Sequence, residues 1–326
     1  MRVLIIHNIA SGFGSDAIFQ FERHLLREGD ECVMRILRKD APDLGKSLLK
    51  DVEKFDLVVI SGGDGTVATL LTHLKYRKVR TCIFPSGTAN LFFGNIGNSA
   101  DPSAIARSCR VGHTIDCDLG EIMWIDNSGR KHRQGFAIMA GIGFDAQIMK
   151  AAIPAKRAMG QAAYFAAALA NPRPGIKNFT INVDGEVYER AGIGCIVANN
   201  AMIQGDIQVV PDCTMTDGLL DVFVCECEAT PQLLSPILHG LVDREGNSLG
   251  RPFLESFRGH DIEVRVDEPT EIEVDGDPMD GTVLAYRARC LPNANRIIVD
   301  PLSRYNPEDH EPKPVFGDTE EIAFPA

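Results

Sequence analysis

Two short glycine-rich segments combine residue types that can bind phosphate groups. Residues 61–66, "SGGDGT", follow the apolar run "LVVI" and precede a run that is compatible with a helix. Residues 85–95, "PSGTANLFFGN", follow a second apolar run, "TCIF". Glycines let backbone N–H groups approach a phosphate closely, and the first turn of a helix favours negative charge. The two segments therefore predict a phosphate-binding site.

The first segment differs from the two best-known phosphate loops. It lacks the lysine of the Walker sequence and the third-glycine spacing of the dinucleotide fingerprint. The structural alternative is a tight turn at the end of a buried strand. The second turn favours a binding site, because loops that follow neighbouring parallel strands meet at the carboxyl edge of the sheet.

Apolar runs and helical patterns alternate through the N-terminal part of the chain. The runs "VLIIHN", "ECVMRIL", "LVVIS" and "TCIF" are typical of strands, and helical patterns separate them. In the first helical pattern, Ser15 or Asp16 can cap the start and Gly29 marks the end. Helices are also predicted at residues 42–55, in a segment starting near Asn90, and at residues 101–112. This rhythm predicts βαβ units and a parallel sheet.

Hairpin patterns replace this alternation after about residue 115. Turns are predicted at residues 126–129, 184–185 and 275–276, and they indicate an antiparallel, sandwich-like second domain. Residues 155–172 and 230–242 are predicted helices within it. The expected domains are residues 1–117, with 296–306 as a candidate return, and residues 118–295. Residues 307–326 form an acidic, proline-containing tail that is expected to lack order.

Composition limits the classes of protein that the chain can represent. The 326 residues are 44% hydrophobic, carry a formal net charge of -12 and include nine cysteines without CxxC pairs. The negative charge argues against nucleic-acid binding, and no apolar run is long enough for a transmembrane helix. The cysteines are expected to be reduced thiols in the cytoplasm. The oligomeric state is open, with a homodimer as one candidate.

Six motifs follow one another along the chain. They are Asn8 after the first strand, "GGDGT" at 62–66, "GTAN" at 87–90, "AGIGFDA" at 140–146, "TDGLLDVFV" at 216–224 and "VDGD" at 274–277. In this order they resemble the diacylglycerol kinase catalytic family, and the resemblance runs from about residue 2 to residue 301. "GGDGT" alone also occurs in NAD kinases and phosphofructokinases. The ordered set is therefore what carries the resemblance.

The resemblance implies an N-terminal α/β domain, a C-terminal antiparallel β-sandwich and an active site in the cleft between them. It implies transfer of the γ-phosphoryl group of ATP, with Mg²⁺, to the hydroxyl of diacylglycerol or a related lipid alcohol. The cytoplasmic protein would then meet its lipid acceptor at a membrane surface. The residues expected to bind the nucleotide are Asn8, Gly62, Gly63, Asp64, Gly65, Thr66, Val67, Ala68, Gly87, Thr88 and Asn90.

Three aspartates are candidates for the chemistry of phosphoryl transfer. Asp64 is expected to act through Mg²⁺, directly or through water, and its structural alternative is to cap a helix that begins at Thr66. By its position in the motif order, Asp277 is the expected proton acceptor, with Asp275 as its neighbour or substitute. The earlier "VDGE" hairpin is interpreted as a structural turn with an exposed Glu186.

The chain departs from the family pattern at two of these places. Asp277 is one methylene shorter than the glutamate that the family has there, and Leu91 stands where many members have aspartate. A displacement of about 1 Å can cost about a hundredfold in rate, so the shorter side chain matters. These departures keep open a lipid- or nucleotide-binding protein that has lost the reaction. An NAD kinase is the less favoured enzymatic alternative.

A second divalent ion, Mg²⁺ or Ca²⁺, is implied at the "TDGLLDV" segment. The expected ligands are the side chain of Asp217 and the backbone carbonyls of Thr214 and Leu219. The structural alternative is a strand-entry turn, since Asp-Gly often precedes a strand. Residues 162–170 form an alanine-rich stretch that could touch a membrane or lie in the core.

Overall fold

The four predicted N-terminal strands are present in the structure, a computed structural model. They form a parallel sheet in the order β2-β1-β3-β4. The six residues of β3 are all buried, which explains their uninterrupted apolar character. The strands are β1 (Arg2–Asn8), β2 (Glu31–Leu37), β3 (Leu57–Gly62) and β4 (Arg80–Pro85).

The structure describes the chain with several gaps. Described are residues 1–11, 16–38, 44–143, 175–203, 207–228, 232, 234–243, 246, 248–301 and 303–305. Four sequence predictions lie wholly or partly outside this set: the Ser15 cap, the helix at 155–172 with its alanine-rich stretch, the "AGIGFDA" motif from residue 144 onward, and the tail at 307–326.

The helices of the N-terminal part follow the predicted pattern with one exception. In α1 the apolar residues Ile18, Phe21 and Leu25 are buried, Asp16 occupies the N-cap position, and Gly29 has φ +83° just beyond the helix. The single helix predicted for residues 42–55 is instead a short helix and a 3₁₀ turn at Val52–Lys54. The helices are α1 (Ala17–Arg27), α2 (Leu44–Leu49), α3 (Asp64–Leu74), α4 (Leu91–Asn95) and α5 (Pro102–Val111).

The chain divides into two units. The first contains Met1–Asp118 and the described part of Asn293–Pro314, and the second contains the described part of Leu119–Pro292. The last strand, β18 (Val283–Val299), belongs to both units, and in the first unit Ile297 of β18 pairs in parallel with Thr81 of β4.

Two antiparallel sheets and a short antiparallel pair, β11 with β12, contain the strands of the second unit. One has the order β14-β13-β10-β7-β16-β17, and the other joins β9, β8, β15 and β18, with β5 on β18 and β6 on β5. The strands are β5 (His113–Ile125), β6 (Lys131–Phe136), β7 (Met139–Gly143), β8 (Lys177–Val183), β9 (Glu186–Gly192), β10 (Gly194–Ala198), β11 (Met202–Ile203), β12 (Ile207–Gln208), β13 (Leu220–Cys225), β14 (Leu254–Gly259), β15 (Asp261–Thr270), β16 (Ile272–Val274) and β17 (Asp277–Pro278).

Side chains from both sheets fill one hydrophobic core. Phe179 and Ile262 come from one sheet and Ile142 and Val222 from the other, and all four are fully buried. This arrangement confirms the predicted sandwich. The hairpins at residues 126–129, 184–185 and 275–276 are also present, as is the later helix, α6 (Leu234–Val242).

Two further expectations concern membrane-spanning helices and disulfide bonds. Within the part of the chain that the structure describes, no helix is long and apolar enough to cross a membrane. No disulfide bond joins cysteines among the described residues.

Candidate functional site

The carboxyl ends of three parallel strands form one edge in the first unit. Asn8 ends β1, Gly62 ends β3 and Pro85 ends β4. Because β1 and β4 both pair with β3 in parallel, the turns after these strands lie side by side. This is the edge at which open α/β sheets bind ligands.

The two glycine turns are in backbone contact with each other. A Cβ atom added to Gly87 would overlap the Cα atom of Gly63, and a Cβ atom on Gly63 would lie 3.2 Å from the Cα atom of Gly87. A Cβ atom on Gly62 would lie 2.5 Å from the Cβ atom of Thr66. Glycine is therefore required at position 87 by the close approach of the Gly63 backbone, whereas a Cβ atom on Gly62 would meet the Thr66 side chain.

Two asparagines shape the turns around this contact. Asn8 Nδ2 donates to Thr66 Oγ1 at 2.8 Å, which links the end of β1 to the first turn of α3. Asn90 adopts a left-handed conformation with φ +51°, accepts from the Gly87 N–H at 2.8 Å, and donates to the Gly87 carbonyl at 2.8 Å. Their contacts make them supports of the predicted phosphate loops.

The remaining predicted nucleotide residues differ in exposure. Thr88 is exposed at the tip of the second turn, and Gly65 is partly exposed in the first turn of α3. Val67 and Ala68 are buried on α3. Their side chains are therefore not available to a ligand, and the Val67 N–H already donates to the Gly63 carbonyl at 3.0 Å.

Asp64 caps a helix other than its own. The prediction that it caps a helix starting at Thr66 is wrong, because α3 begins at Asp64 and Gly63 is its N-cap. The Asp64 carboxylate instead accepts from the backbone N–H of Phe92 at 3.0 Å, in the first turn of α4. It thereby ties the first glycine turn to the helix that follows the second.

A chain of polar side chains lies directly behind the turns. His7 Nδ1 is 2.9 Å from Ser61 Oγ, and Ser61 Oγ is 2.8 Å from Ser86 Oγ. Ser86 also donates its backbone N–H to the Gly62 carbonyl at 3.1 Å. The sequence interpretation missed these three residues. The available signal was a polar side chain at the end of each otherwise apolar strand.

In the second unit, the hairpin of β16 and β17 carries Asp277 and Asp275. Asp277 is exposed and opposes Val274 across the hairpin. Asp275 has φ +50°, and its carboxylate accepts from three consecutive backbone N–H groups at 2.8 to 3.1 Å. The donors are Ala137, Ile138 and Met139.

A fully buried carboxylate supports the same hairpin. Glu273 Oε2 accepts from the Gly276 N–H at 2.7 Å. Together with Asp275, it fixes the turn and leaves the Asp277 side chain exposed. This geometry favours Asp277 over Asp275 as a group that can accept a proton from a ligand.

The hairpin with Glu186 has the same construction in the other sheet. Asp184 has φ +51° and accepts from the N–H groups of His260 and Asp261, each at 2.8 Å. Glu186 opposes Val183, as Asp277 opposes Val274, and is exposed. In both hairpins the first aspartate secures the turn, which agrees with the interpretation of Glu186 as an exposed turn residue.

Removing the Asp275 carboxylate should destabilise the second unit. In Asp275→Ala three backbone donors lose a charged acceptor, and alanine is strained at positive φ. We expect a loss of about 3 kcal/mol in the free energy of unfolding, measured by denaturant titration. Asp275→Asn, which keeps one acceptor oxygen and tolerates this conformation, should lose less. Equal stability of Asp275→Ala and the wild type would contradict this role.

The predicted second metal site contains an arginine. Asp217 Oδ1 accepts from the Leu219 N–H at 3.1 Å, and Arg258 Nη1 lies 3.9 Å from Asp217 Oδ2. Arg258 also forms an ion pair with Asp221 at 2.8 Å. Among the described residues, no three His, Cys, Asp or Glu side chains are grouped to hold a metal. The ion at Asp217, Thr214 and Leu219 stays a prediction.

Two family models match the chain. Residues 2–122 match the diacylglycerol kinase catalytic domain, and residues 138–299 match the YegS C-terminal NAD kinase beta sandwich-like domain. The structure agrees with these two matches. Its first unit is an α/β unit with two contacting glycine turns, and its second unit is a β-sandwich. The chain belongs to the diacylglycerol kinase catalytic-domain family.

Three related proteins are similar to this chain over part of their length. An uncharacterized Synechocystis protein, sll0036, is 27% identical over 255 residues, which are 76% of this chain and 55% of that protein. A diacylglycerol kinase of Mycobacterium tuberculosis is 29% identical over 210 residues, 62% of this chain and 65% of that protein. A probable lipid kinase YegS-like of Klebsiella pneumoniae is 26% identical over 251 residues, 76% of this chain and 78% of that protein. The chain thus spans less than two thirds of two of them.

Solved structures share the fold at low sequence identity. A putative diacylglycerol kinase from Bacillus anthracis superposes with a TM-score of 0.70 at 21% identity, covering 93% of this chain and 98% of that one. Yeast NADH kinase, solved with NADH, gives a TM-score of 0.52 at 11% identity over 92% of this chain and 83% of that one.

Proposed function

We propose that the chain is a lipid kinase that transfers the γ-phosphoryl group of ATP to the hydroxyl of diacylglycerol or a related lipid alcohol. The observation that carries the proposal is the backbone contact of Gly63 with Gly87 at the carboxyl ends of β3 and β4. This contact joins two turns whose N–H groups can surround the phosphates of one nucleotide. Membership of the family supports a lipid acceptor, which would be met at a membrane surface.

Asp64 is the residue proposed to hold Mg²⁺. It lies in the first turn of α3, and one carboxylate completed by water and phosphate oxygens is a usual Mg²⁺ site. The donor set therefore fits the ion. When bound, Mg²⁺ would neutralise negative charge on the phosphates. The contact from Asp64 to the Phe92 N–H keeps the carboxylate at the start of both helices.

Asp277 is proposed to accept the proton of the lipid hydroxyl. Its neighbours Glu273 and Asp275 secure the hairpin by hydrogen bonds, so Asp277 is presented from a fixed turn. A carboxylate in hydrogen-bond reach of an attacking hydroxyl contributes general-base catalysis. The Asp277 carboxylate would take up this proton when the hydroxyl attacks the phosphoryl group.

Removing the charge of Asp64 should separate its two roles. Asp64→Asn keeps an oxygen that can accept from the Phe92 N–H, but it lacks the negative charge that favours Mg²⁺. We expect the affinity for MgATP, measured by calorimetry, to fall about tenfold or more, while the thermal midpoint stays near that of the wild type. Asp64→Ala should also lower the midpoint, since the α4 cap is lost. Unchanged MgATP affinity in Asp64→Asn would contradict the metal role.

The experiment that tests the function is transfer of labelled γ-phosphate to a panel of acceptors. The panel contains diacylglycerol, monoacylglycerol, sphingosine, ceramide and NAD, with the lipids in mixed micelles. We expect label in one class of lipid alcohol, which also identifies the acceptor. The absence of label in every lipid would contradict the proposal.

An NAD kinase is the second candidate. The observation in its favour is the sandwich of the second unit, whose family model is described as NAD kinase beta sandwich-like. NAD in the same panel tests it, and label in NAD alone would select this function. The "GTAN" turn and the late "VDGD" hairpin favour the lipid kinase.

A binding protein without turnover is the non-enzymatic alternative. Its support is the shorter Asp277 side chain and the apolar Leu91 at the start of α4. It predicts binding of ATP and lipid without transfer, with activity gained in Asp277→Glu. Transfer by the wild-type chain would exclude it.

A further inference from the structure

Hydrogen bonds join three polar side chains at the carboxyl ends of three neighbouring strands. His7 Nδ1 is 2.9 Å from Ser61 Oγ, which is 2.8 Å from Ser86 Oγ. His7 lies near the end of β1, Ser61 near the end of β3, and Ser86 directly follows β4. Each residue directly precedes a turn residue of the proposed nucleotide site, namely Asn8, Gly62 and Gly87. We call these three side chains the relay.

The surroundings of the relay restrict its chemistry. Ser61 is fully buried, and His7 is partly buried with the ring of Phe19 at 6.3 Å, edge to face. Burial lowers the pKa of His7, so its imidazole is neutral at neutral pH. A neutral imidazole carries one hydrogen, on either Nδ1 or Nε2.

The position of that hydrogen sets the direction of the relay. If Nδ1 carries it, His7 donates to Ser61, Ser61 donates to Ser86, and the Ser86 hydroxyl hydrogen is left for another acceptor. If Nε2 carries it, the order reverses and Ser86 donates back to Ser61. A phosphate offers only acceptor oxygens to a hydroxyl. Only the first direction therefore lets the Ser86 hydroxyl bind a phosphate.

We propose that His7 is a positioning residue whose Nδ1–H orients Ser61 and thereby presents the Ser86 hydroxyl as a donor to a phosphate of the bound nucleotide. The inference rests on the proposed function, because it takes ATP as the ligand of the glycine turns. The Ser86 hydroxyl would add a side-chain donor to the backbone N–H donors of the two turns.

The position of the hydrogen can be measured by NMR on the whole protein. The chain has eight histidines, and the His7 signals of a ¹⁵N-histidine sample are those missing from His7→Asn. With a non-hydrolysable ATP analogue and Mg²⁺, we expect His7 to show the pattern of hydrogen on Nδ1. Hydrogen on Nε2 in the nucleotide complex would overturn the proposal. A purely structural histidine has no reason to respond to the nucleotide.

Binding measurements test the other two members. We expect Ser61→Ala and Ser86→Ala each to weaken ATP binding about tenfold, the effect of one hydrogen bond to a charged group. Ser108→Ala is the matched control, because the buried Ser108 hydroxyl donates to Asp300 at 3.2 Å in the same unit, outside the three turns. Its affinity should equal that of the wild type.

Substitutions of His7 complete the test. His7→Leu should weaken ATP binding about tenfold, and His7→Asn, whose Nδ2–H can donate from near the place of Nδ1–H, should recover part of this loss. If the wild type binds ATP and both serine variants bind ATP as tightly as the wild type does, the relay proposal is wrong but the proposed function is not affected. If the wild type does not bind ATP, both the relay proposal and the proposed function are wrong.

Discussion

Asp277→Asn should lower phosphoryl transfer to the lipid by about 100-fold to 10,000-fold, the contribution of a positioned general base. Asparagine has nearly the same shape as aspartate but cannot accept the proton at neutral pH. Because Asp277 is exposed, the substitution should leave the thermal midpoint and the affinity for ATP unchanged. The measurement is the initial rate of label transfer at saturating ATP.

The chain supplies a matched control for this experiment. Glu186 occupies the same place in the second hairpin of this construction, opposite Val183 and exposed. Glu186→Gln should therefore transfer phosphate at the wild-type rate. If Glu186→Gln lost activity and Asp277→Asn kept it, the proton acceptor would lie on the hairpin of Glu186 and the assignment to Asp277 would be wrong.

Gly87→Ala is expected to have the second large effect. A Cβ atom at this position would overlap the Cα atom of Gly63 and lie 2.9 Å from Asn90 Oδ1, so the two turns must separate. Forcing extra atoms into a packed contact costs about 1–3 kcal/mol. If this cost falls on the binding-competent arrangement, the affinity for ATP should decrease about tenfold to 100-fold, as measured by calorimetry.

Gly94→Ala is the control for the added methyl group. Gly94 lies in α4, is exposed, and a Cβ atom there would have no neighbour within 4 Å. Its affinity for ATP should match that of the wild type. Equal affinities of Gly87→Ala and the wild type would show that the contact between the turns is unnecessary for binding.

Local sequence patterns were sufficient for most of the fold. The apolar run of β3 is buried along its whole length, and Asp-Gly pairs with positive φ mark the hairpins at residues 184–185 and 275–276. These features depend on residues close together in the chain, so turn chemistry and periodicity reveal them. The helix predicted at residues 42–55 was divided in two, although its periodicity was continuous.

Contacts between distant segments were not predictable in the same way. Asp64 reaches the Phe92 N–H, 28 residues later, because the two glycine turns touch. Asp275 holds backbone groups that lie 136 to 138 residues earlier in the chain. In both cases the aspartate was identified, but its partner depends on how the strands are ordered in the sheet.

The relay shows another limit of prediction from the sequence. His7, Ser61 and Ser86 are separated by 54 and 25 residues. Each stands one residue before a family motif, namely Asn8, "GGDGT" and "GTAN", so no motif singled it out. Each is a polar residue at the end of an apolar strand, which is common at strand ends. Only the parallel register of β1, β3 and β4 brings them together.

The most direct measurement is label transfer from ATP to the lipid acceptor by the wild type, Asp277→Asn and Glu186→Gln side by side. We predict a labelled lipid with the wild type and Glu186→Gln, and almost none with Asp277→Asn. No labelled lipid with the wild type, or equal labelling with Asp277→Asn, would contradict the assignment of a lipid kinase whose proton acceptor is Asp277.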